Sequence, residues 1–159
     1  MQVVTRRALE QDVERLAELF VAFHNFHAEG VPGYLRPVGP PDGELREAVR
    51  RILADSEAAV FLAEVGEAVV GFAEIHIKEN PGGPAVVARK YGLLQSLFVT
   101  GERRGAGIGS RLVAAAHAWA LERGATEVSL DTWEFPAGPQ RFYESLGYTT
   151  ARRQLVWKA

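Results

Sequence analysis

Apolar residues recur at helical spacing over residues 12–28, where Leu16, Leu19, Phe20 and Phe23 fall on one stripe with His27. A second helical pattern covers residues 44–54 through Leu45, Val49, Ile52 and Leu53. Between them, residues 30–43 hold Pro32, Gly33, Pro37, Gly39, Pro40 and Pro41, so this stretch is loop. Connectors of that length inside a compact domain often carry function. Residues 2–5 read as a short strand. Residues 58–65 and 68–78 read as a strand pair about a Gly66-Glu67 turn. In the second of these, Val69, Gly71, Ala73, Ile75 and Ile77 share one face, and Val70, Phe72, Glu74, His76 and Lys78 share the other. Residues 80–85 form a turn, and residues 91–99 a buried strand. A helix over residues 108–123, with Ile108, Leu112, Ala115 and Trp119 on one stripe, is stopped by Gly124. Residues 126–133 then predict a strand, 138–146 a helix and 148–158 a final strand. The fold class is α/β (α+β), in one domain over residues 1–159.

Composition narrows the function classes. A length of 159 residues suits one domain, and 47% apolar with 24% charged residues is the balance of an ordinary globular chain. No run of about 18 apolar residues occurs, and the start does not read as a signal sequence, so no membrane partner is expected and a cytoplasmic protein is. The absence of cysteine removes disulfides, thiolate metal sites and cysteine nucleophiles together. A net charge of −2 gives no support to nucleic-acid binding.

The segment richest in chemistry runs from Leu94-Gln95-Ser96-Leu97-Phe98-Val99 into Arg103-Arg104-Gly105-Ala106-Gly107-Ile108-Gly109-Ser110-Arg111. A strand enters a turn with three alternating glycines, which opens directly into a helix. Glycine removes the Cβ that keeps an anion from the backbone, and the first N–H groups of a helix have no internal acceptor. The helix dipole adds partial positive charge there, so such a turn is suited to phosphate. The same glycines also serve a tight turn and close helix packing. A nucleotide P-loop needs Lys-Ser/Thr after the last glycine, which Ser110-Arg111 does not supply. A dinucleotide fingerprint spaces its glycines differently and needs further parallel strands.

Arg104, Gly107 and Gly109 fit the pattern R/Q-x-x-G-x-G/A, and Phe142-Tyr143-Glu144-Ser145-Leu146-Gly147-Tyr148 is close to "FYEKLGF". On both motifs the chain resembles the GNAT superfamily of N-acetyltransferases, and the resemblance extends over nearly the whole chain. It implies the element order β-α-α-β-β-β-α-β-α-β-β, with a mixed, mostly antiparallel sheet of six to seven strands and about four helices. It implies acetyl-CoA as cosubstrate, no metal, and direct acetyl transfer to a primary amine. A small-molecule amine is the first expectation; a protein or peptide acceptor, or an acyl-CoA-binding domain without turnover, are the alternatives. A homodimer is compatible with the family.

Carried over residue by residue, the resemblance assigns cofactor binding to Leu97, Phe98 and Val99, which would offer backbone groups to the pantetheine arm. Arg104, Gly105, Ala106, Gly107, Ile108, Gly109 and Ser110 would hold the pyrophosphate. Tyr143 matches the position of a general acid beside the leaving sulfur, with packing of the last helix as the alternative. Many members carry a glutamate base where this chain has Gln95, which cannot accept a proton. Glu74, on the neighbouring strand, is the expected base, with His76 behind it; a solvated strand face is the alternative for Glu74. Another departure is Pro136, where relatives often have asparagine. His24, His27, Tyr34 and His76 are the candidate acceptor-side residues. The histidine pair at i and i+3 lacks a third ligand, so metal is not expected there.

Overall fold

The computed structural model describes residues 2–159. Its elements run β1 (Val3–Arg7), α1 (Val13–Gly30), α2 (Gly43–Ala54), β2 (Ala58–Val65), β3 (Ala68–Asn80), β4 (Arg89–Val99), α3 (Ile108–Glu122), β5 (Glu127–Ser129) and α4 (Gln140–Ser145), with single 3-10 turns at Glu10–Asp12 and Gly101–Arg103. The strands form one mixed sheet in the order β1-β2-β3-β4-β5, antiparallel until β5 joins β4 in parallel. Helices α1 and α2 cover one face. Their Leu16, Leu19 and Val49 bury Val60, Leu62 and Phe72. Helix α3 covers the other, where Ile108, Leu112, Ala116 and Trp119 meet Ala73, Ile75, Ile77 and Leu94. Among the described residues no helix is long and apolar enough to cross a membrane.

Local chemistry sets the element ends. Asp42 caps α2 by accepting from the Leu45 amide at 2.8 Å. Gly66, at φ 62°, opens the two-residue turn between Val65 and Ala68. Ahead of α1, Asp12 receives two 2.8 Å bonds from the Arg6 guanidinium and one of 2.7 Å from the Leu9 amide, which locks β1 to the helix start.

Two β-bulges alter the faces read from strict alternation. Ala63 pairs with Gly71 and Glu64 with Val69, so Val70 is an extra residue. Val70 therefore packs with Ala73 and Ile75 under α3, and Val69 packs with Phe72 on the α1 side, the reverse of the alternation read from the sequence. In β4, Gln95 is the extra residue, because Glu74 pairs with Ser96 and Ile75 with Leu94.

The sheet has five strands among the described residues, not six to seven. Pairing of β4 with β5 stops at Leu93 and Ser129, so the predicted strand 126–133 is reduced to three residues. Residues 148–158 carry no strand at all. A strand needs an edge to pair with, and the outer edge available is only as long as β5. Leu155 and Trp157, in the segment predicted as the final strand, are 89% and 87% exposed.

Candidate active site

The early end of the β4–β5 ladder is what opens the site. Beyond Leu93 the two strands part, and the β5-side edge of β4 from Leu94 to Val99 has no strand beside it. Apart from the Val99 carbonyl, which accepts from Arg104, its backbone groups are placed for a peptide-like ligand to pair with, as an added strand would. Val99 then runs through the 3-10 turn into Gly105 and Gly107, whose φ angles are 79° and 76°. Side chains rarely adopt that left-handed conformation. Gly107 is the residue at which α3 begins, and a Cβ built on either glycine meets no atom within 4 Å. The space over the helix N-terminus is therefore open.

These elements enclose a cleft of about 400 Å³. Leu97, Phe98 and Val99 form one wall, and Arg104, Gly105, Gly107, Ile108, Gly109 and Ser110 form the end with the free helix amides. Of the residues assigned to the cofactor, Ala106 alone is outside the lining. Gly109 has a second duty, since a Cβ there would come within 3.1 Å of the Phe142 ring, so its absence lets α4 seat on the first turn of α3. Arg104 lies along the wall. Its Nε donates to the Val99 carbonyl at 3.0 Å, and its guanidinium sits 4.4 Å from the centre of the Phe26 ring.

Of the remaining lining residues, His27 was an acceptor-side candidate in the sequence, whereas Phe26, Pro139 and Phe142 were not assigned to the site. Phe26 and His27 reach the cleft from α1, and Pro139 and Phe142 from the start of α4. Phe26 and His27 rest on Phe135, a buried residue whose ring fills the space left by Gly30. Aromatics on an amphipathic helix read as core, so the pattern alone gave no signal for Phe26. The neighbouring Pro136 is exposed.

The remaining candidates separate into two groups. His24 and Tyr34 anchor the 31–42 loop: from α1, His24 Nε2 bonds to the Arg36 carbonyl at 2.7 Å, and from the loop, Tyr34 stacks on Trp133 at 5.0 Å. Asn25, unassigned in the sequence, holds the same loop by exchanging two bonds with the Val38 backbone at 2.8 and 3.0 Å. His27 instead turns its Nδ1 to the Phe23 carbonyl at 2.8 Å. Glu74 and His76 lie on the α1 side of β3. Glu74 is 4% exposed; its Oε2 accepts from the Ser96 hydroxyl at 2.8 Å, and its Oε1 lies 2.7 Å from His76 Nε2. Gln95, beside Ser96 in the bulge, is exposed.

Tyr143 stands one residue past Phe142 on α4 and faces Tyr148, with ring centres 5.5 Å apart. Tyr148 is tied to His117 of α3 by its hydroxyl. Burial holds the Tyr143 hydroxyl well above the usual phenol range, with Tyr148 adding to the effect, and burial alone pushes Tyr148 up to about 12.

The sequence profile described as the acetyltransferase (GNAT) family matches residues 32–148, which hold the whole of the glycine turn and the α4 motif. The chain belongs to the GNAT acetyltransferase family. It is 33% identical over 113 residues to an aminoglycoside N(6')-acetyltransferase type 1 of Stenotrophomonas maltophilia, covering 70% of this chain and 73% of that one. It is 26% identical over 140 residues to the Salmonella typhimurium protein of the same name, covering 85% and 92%. In fold it is similar to a point mutant of the BH1408 protein from Bacillus halodurans, with a TM-score of 0.90, 23% identity, and 98% and 99% of the two chains covered. This GNAT chain is an acetyl-CoA-dependent N-acetyltransferase, with acetyl-CoA as its cosubstrate.

Proposed function

We propose that this enzyme acetylates a primary amine of a small molecule by direct transfer from acetyl-CoA. The observation that carries the choice of acceptor is the state of the 31–42 loop. His24 and Asn25 fasten it to α1 at Arg36 and Val38, and Tyr34 fastens it to Trp133 after β5. A loop folded down at three points favours an enclosed acceptor site over an open groove for a peptide. The two relatives from Stenotrophomonas maltophilia and Salmonella typhimurium are named for acetylating aminoglycosides, which are small molecules bearing several amines, and this agrees with the reading.

In this reading the α3 amides and the glycine turn hold the pyrophosphate, and the free edge of Leu97, Phe98 and Val99 holds the pantetheine arm. Tyr143 is the general acid for the departing sulfur. Its raised pKa keeps it a neutral proton donor throughout the working pH range. No acyl-enzyme forms in this reading, because the chain has no cysteine and shows no Ser/His nucleophile motif. We read residues 1–159 as one acetyltransferase unit acting in the cytoplasm.

The test is a panel of diamines, aminosugars, amino acids and peptides with free N-termini, with acetyl-CoA turnover read by thiol release. Preference for a small amine by kcat/KM supports the reading. Preference for peptides transfers the assignment to a peptide N-acetyltransferase, and CoA binding with no turnover reduces it to a binding domain.

A further inference from the structure

Within that reading, the structure assigns the proton of the acceptor amine to His76, held in place by Glu74 and Ser96. The sequence suggests the reverse order, with Glu74 as base and His76 behind it. Geometry decides between them. The Glu74 side chain is 5% exposed and both of its oxygens are engaged, one by Ser96 and one by His76. The His76 side chain is 17% exposed, so of the two it is the group that reaches outward. Ser96 is also buried, at 6%, so the chain Ser96–Glu74–His76 begins inside the sheet and ends at an imidazole.

Its position on the sheet suits the role. His76 pairs with Leu93, the last residue of β4 before the strands part, and Glu74 pairs with Ser96, just inside the opening. Val99, Phe98 and Leu97 line the cleft, and Ser96 is the next residue along β4 beyond that lining. The relay therefore begins one residue beyond the cleft's β4 wall, on the sheet face that α1 covers. A carboxylate on Nε2 holds the imidazole in the tautomer with hydrogen on Nε2, which leaves the Nδ1 lone pair as the acceptor.

Three protons start on the acceptor ammonium. One passes to His76 Nδ1 and from there to solvent. The nitrogen lone pair forms the C–N bond to the thioester carbonyl carbon, and the C–S bond breaks with its electron pair on sulfur. A second proton leaves nitrogen as the amide forms and restores Tyr143, whose own proton has gone to the thiolate. The third stays on the amide.

Two amines separate a base from a structural role. An n-butylammonium ion must lose a proton to react at neutral pH, whereas 2,2,2-trifluoroethylamine is already largely neutral. His76→Gln is expected to lower kcat with n-butylamine by about 10²-fold or more and to leave the rate with trifluoroethylamine near wild type. Glu74→Gln, which acts through His76, shows the same pattern at about tenfold. Acetyl-CoA affinity by calorimetry stays unchanged in both. Equal losses with the two amines, or a loss confined to the acceptor KM, overturn the assignment. Failure of the broader reading looks different, since the wild-type chain then binds no acetyl-CoA or releases no thiol with any amine. If a variant does not fold, nitrogen spectra of ¹⁵N-histidine in the wild-type chain decide. Hydrogen on Nε2 of His76 is expected, and hydrogen on Nδ1 overturns the relay.

Discussion

Three glycines allow the cost of backbone strain to be separated from the cost of filling the anion site. Gly66, Gly105 and Gly107 have φ angles of 62°, 79° and 76°, and a Cβ on any of them meets no atom within 4 Å. Substitution by alanine thus adds no clash at any of the three. It adds only the left-handed strain of a side chain, about 1–2 kcal/mol. For a chain of this length that strain lowers Tm by about 2–8 °C, and the three variants should fall together. They part in cofactor binding. At Gly105 and Gly107 the open space is the cleft itself, and the added methyl stands between the ligand and the amides that open α3. Losing one or two charge-assisted bonds there, each about 1.5–3 kcal/mol, weakens acetyl-CoA at least tenfold. Gly66 is in the β2–β3 turn, outside the cleft, and its variant keeps wild-type affinity. The assay is thermal unfolding paired with calorimetric titration on all three. Equal affinity across the set, or equal loss including Gly66→Ala, refutes the placement of the pyrophosphate.

Tyr143→Phe keeps the ring against Tyr148 and removes the donor, so kcat falls about 10²–10⁴-fold with acetyl-CoA affinity unchanged; a change only in KM makes Tyr143 a positioning residue. Arg104→Ala weakens acetyl-CoA several-fold at low ionic strength and less at high salt, checked by titration at two salt concentrations. The Asp12 carboxyl is held below its ordinary value chiefly by its bonds from Arg6. Its stabilisation is therefore complete above the unfolded pKa of about 3.9 and is lost as pH falls through the lower folded value. Asp12→Ala, which removes a buried partner of Arg6, destabilises by about 1–3 kcal/mol at neutral pH in denaturant unfolding, with a smaller penalty in acid.

Much of this fold is legible because turn chemistry and periodicity agree. Strand β2 coincides with residues 58–65 because a continuous apolar run ends at a glycine turn. The glycine turn was legible for the same reason, since Gly105 and Gly107 do adopt the conformation that glycine permits. Bulges were not legible. Val70 and Gln95 become extra residues only through the partner strand, and nothing in their own neighbours marks them. The last predicted strand failed on the same ground: residues 148–158 were read as strand, but pairing depends on an edge that β5 does not extend far enough to give. Glu74 and His76 were both visible on one strand face, but which of them is the more covered was not. Which of two neighbours on a strand face is covered depends on Ser96 across the sheet. Phe26 stayed hidden because a helix stripe looks alike whether it faces core or ligand.

The central claim is that the parted β4–β5 edge and the α3 N-terminus hold acetyl-CoA for direct transfer to an amine. The measurement that tests it most directly is initial-rate thiol release with acetyl-CoA and the best small amine of the panel both varied. The account predicts amine-dependent release with intersecting double-reciprocal lines, the pattern of a complex in which both substrates are bound. Parallel lines, the sign of an acyl-enzyme, or the absence of any amine-dependent release would contradict it.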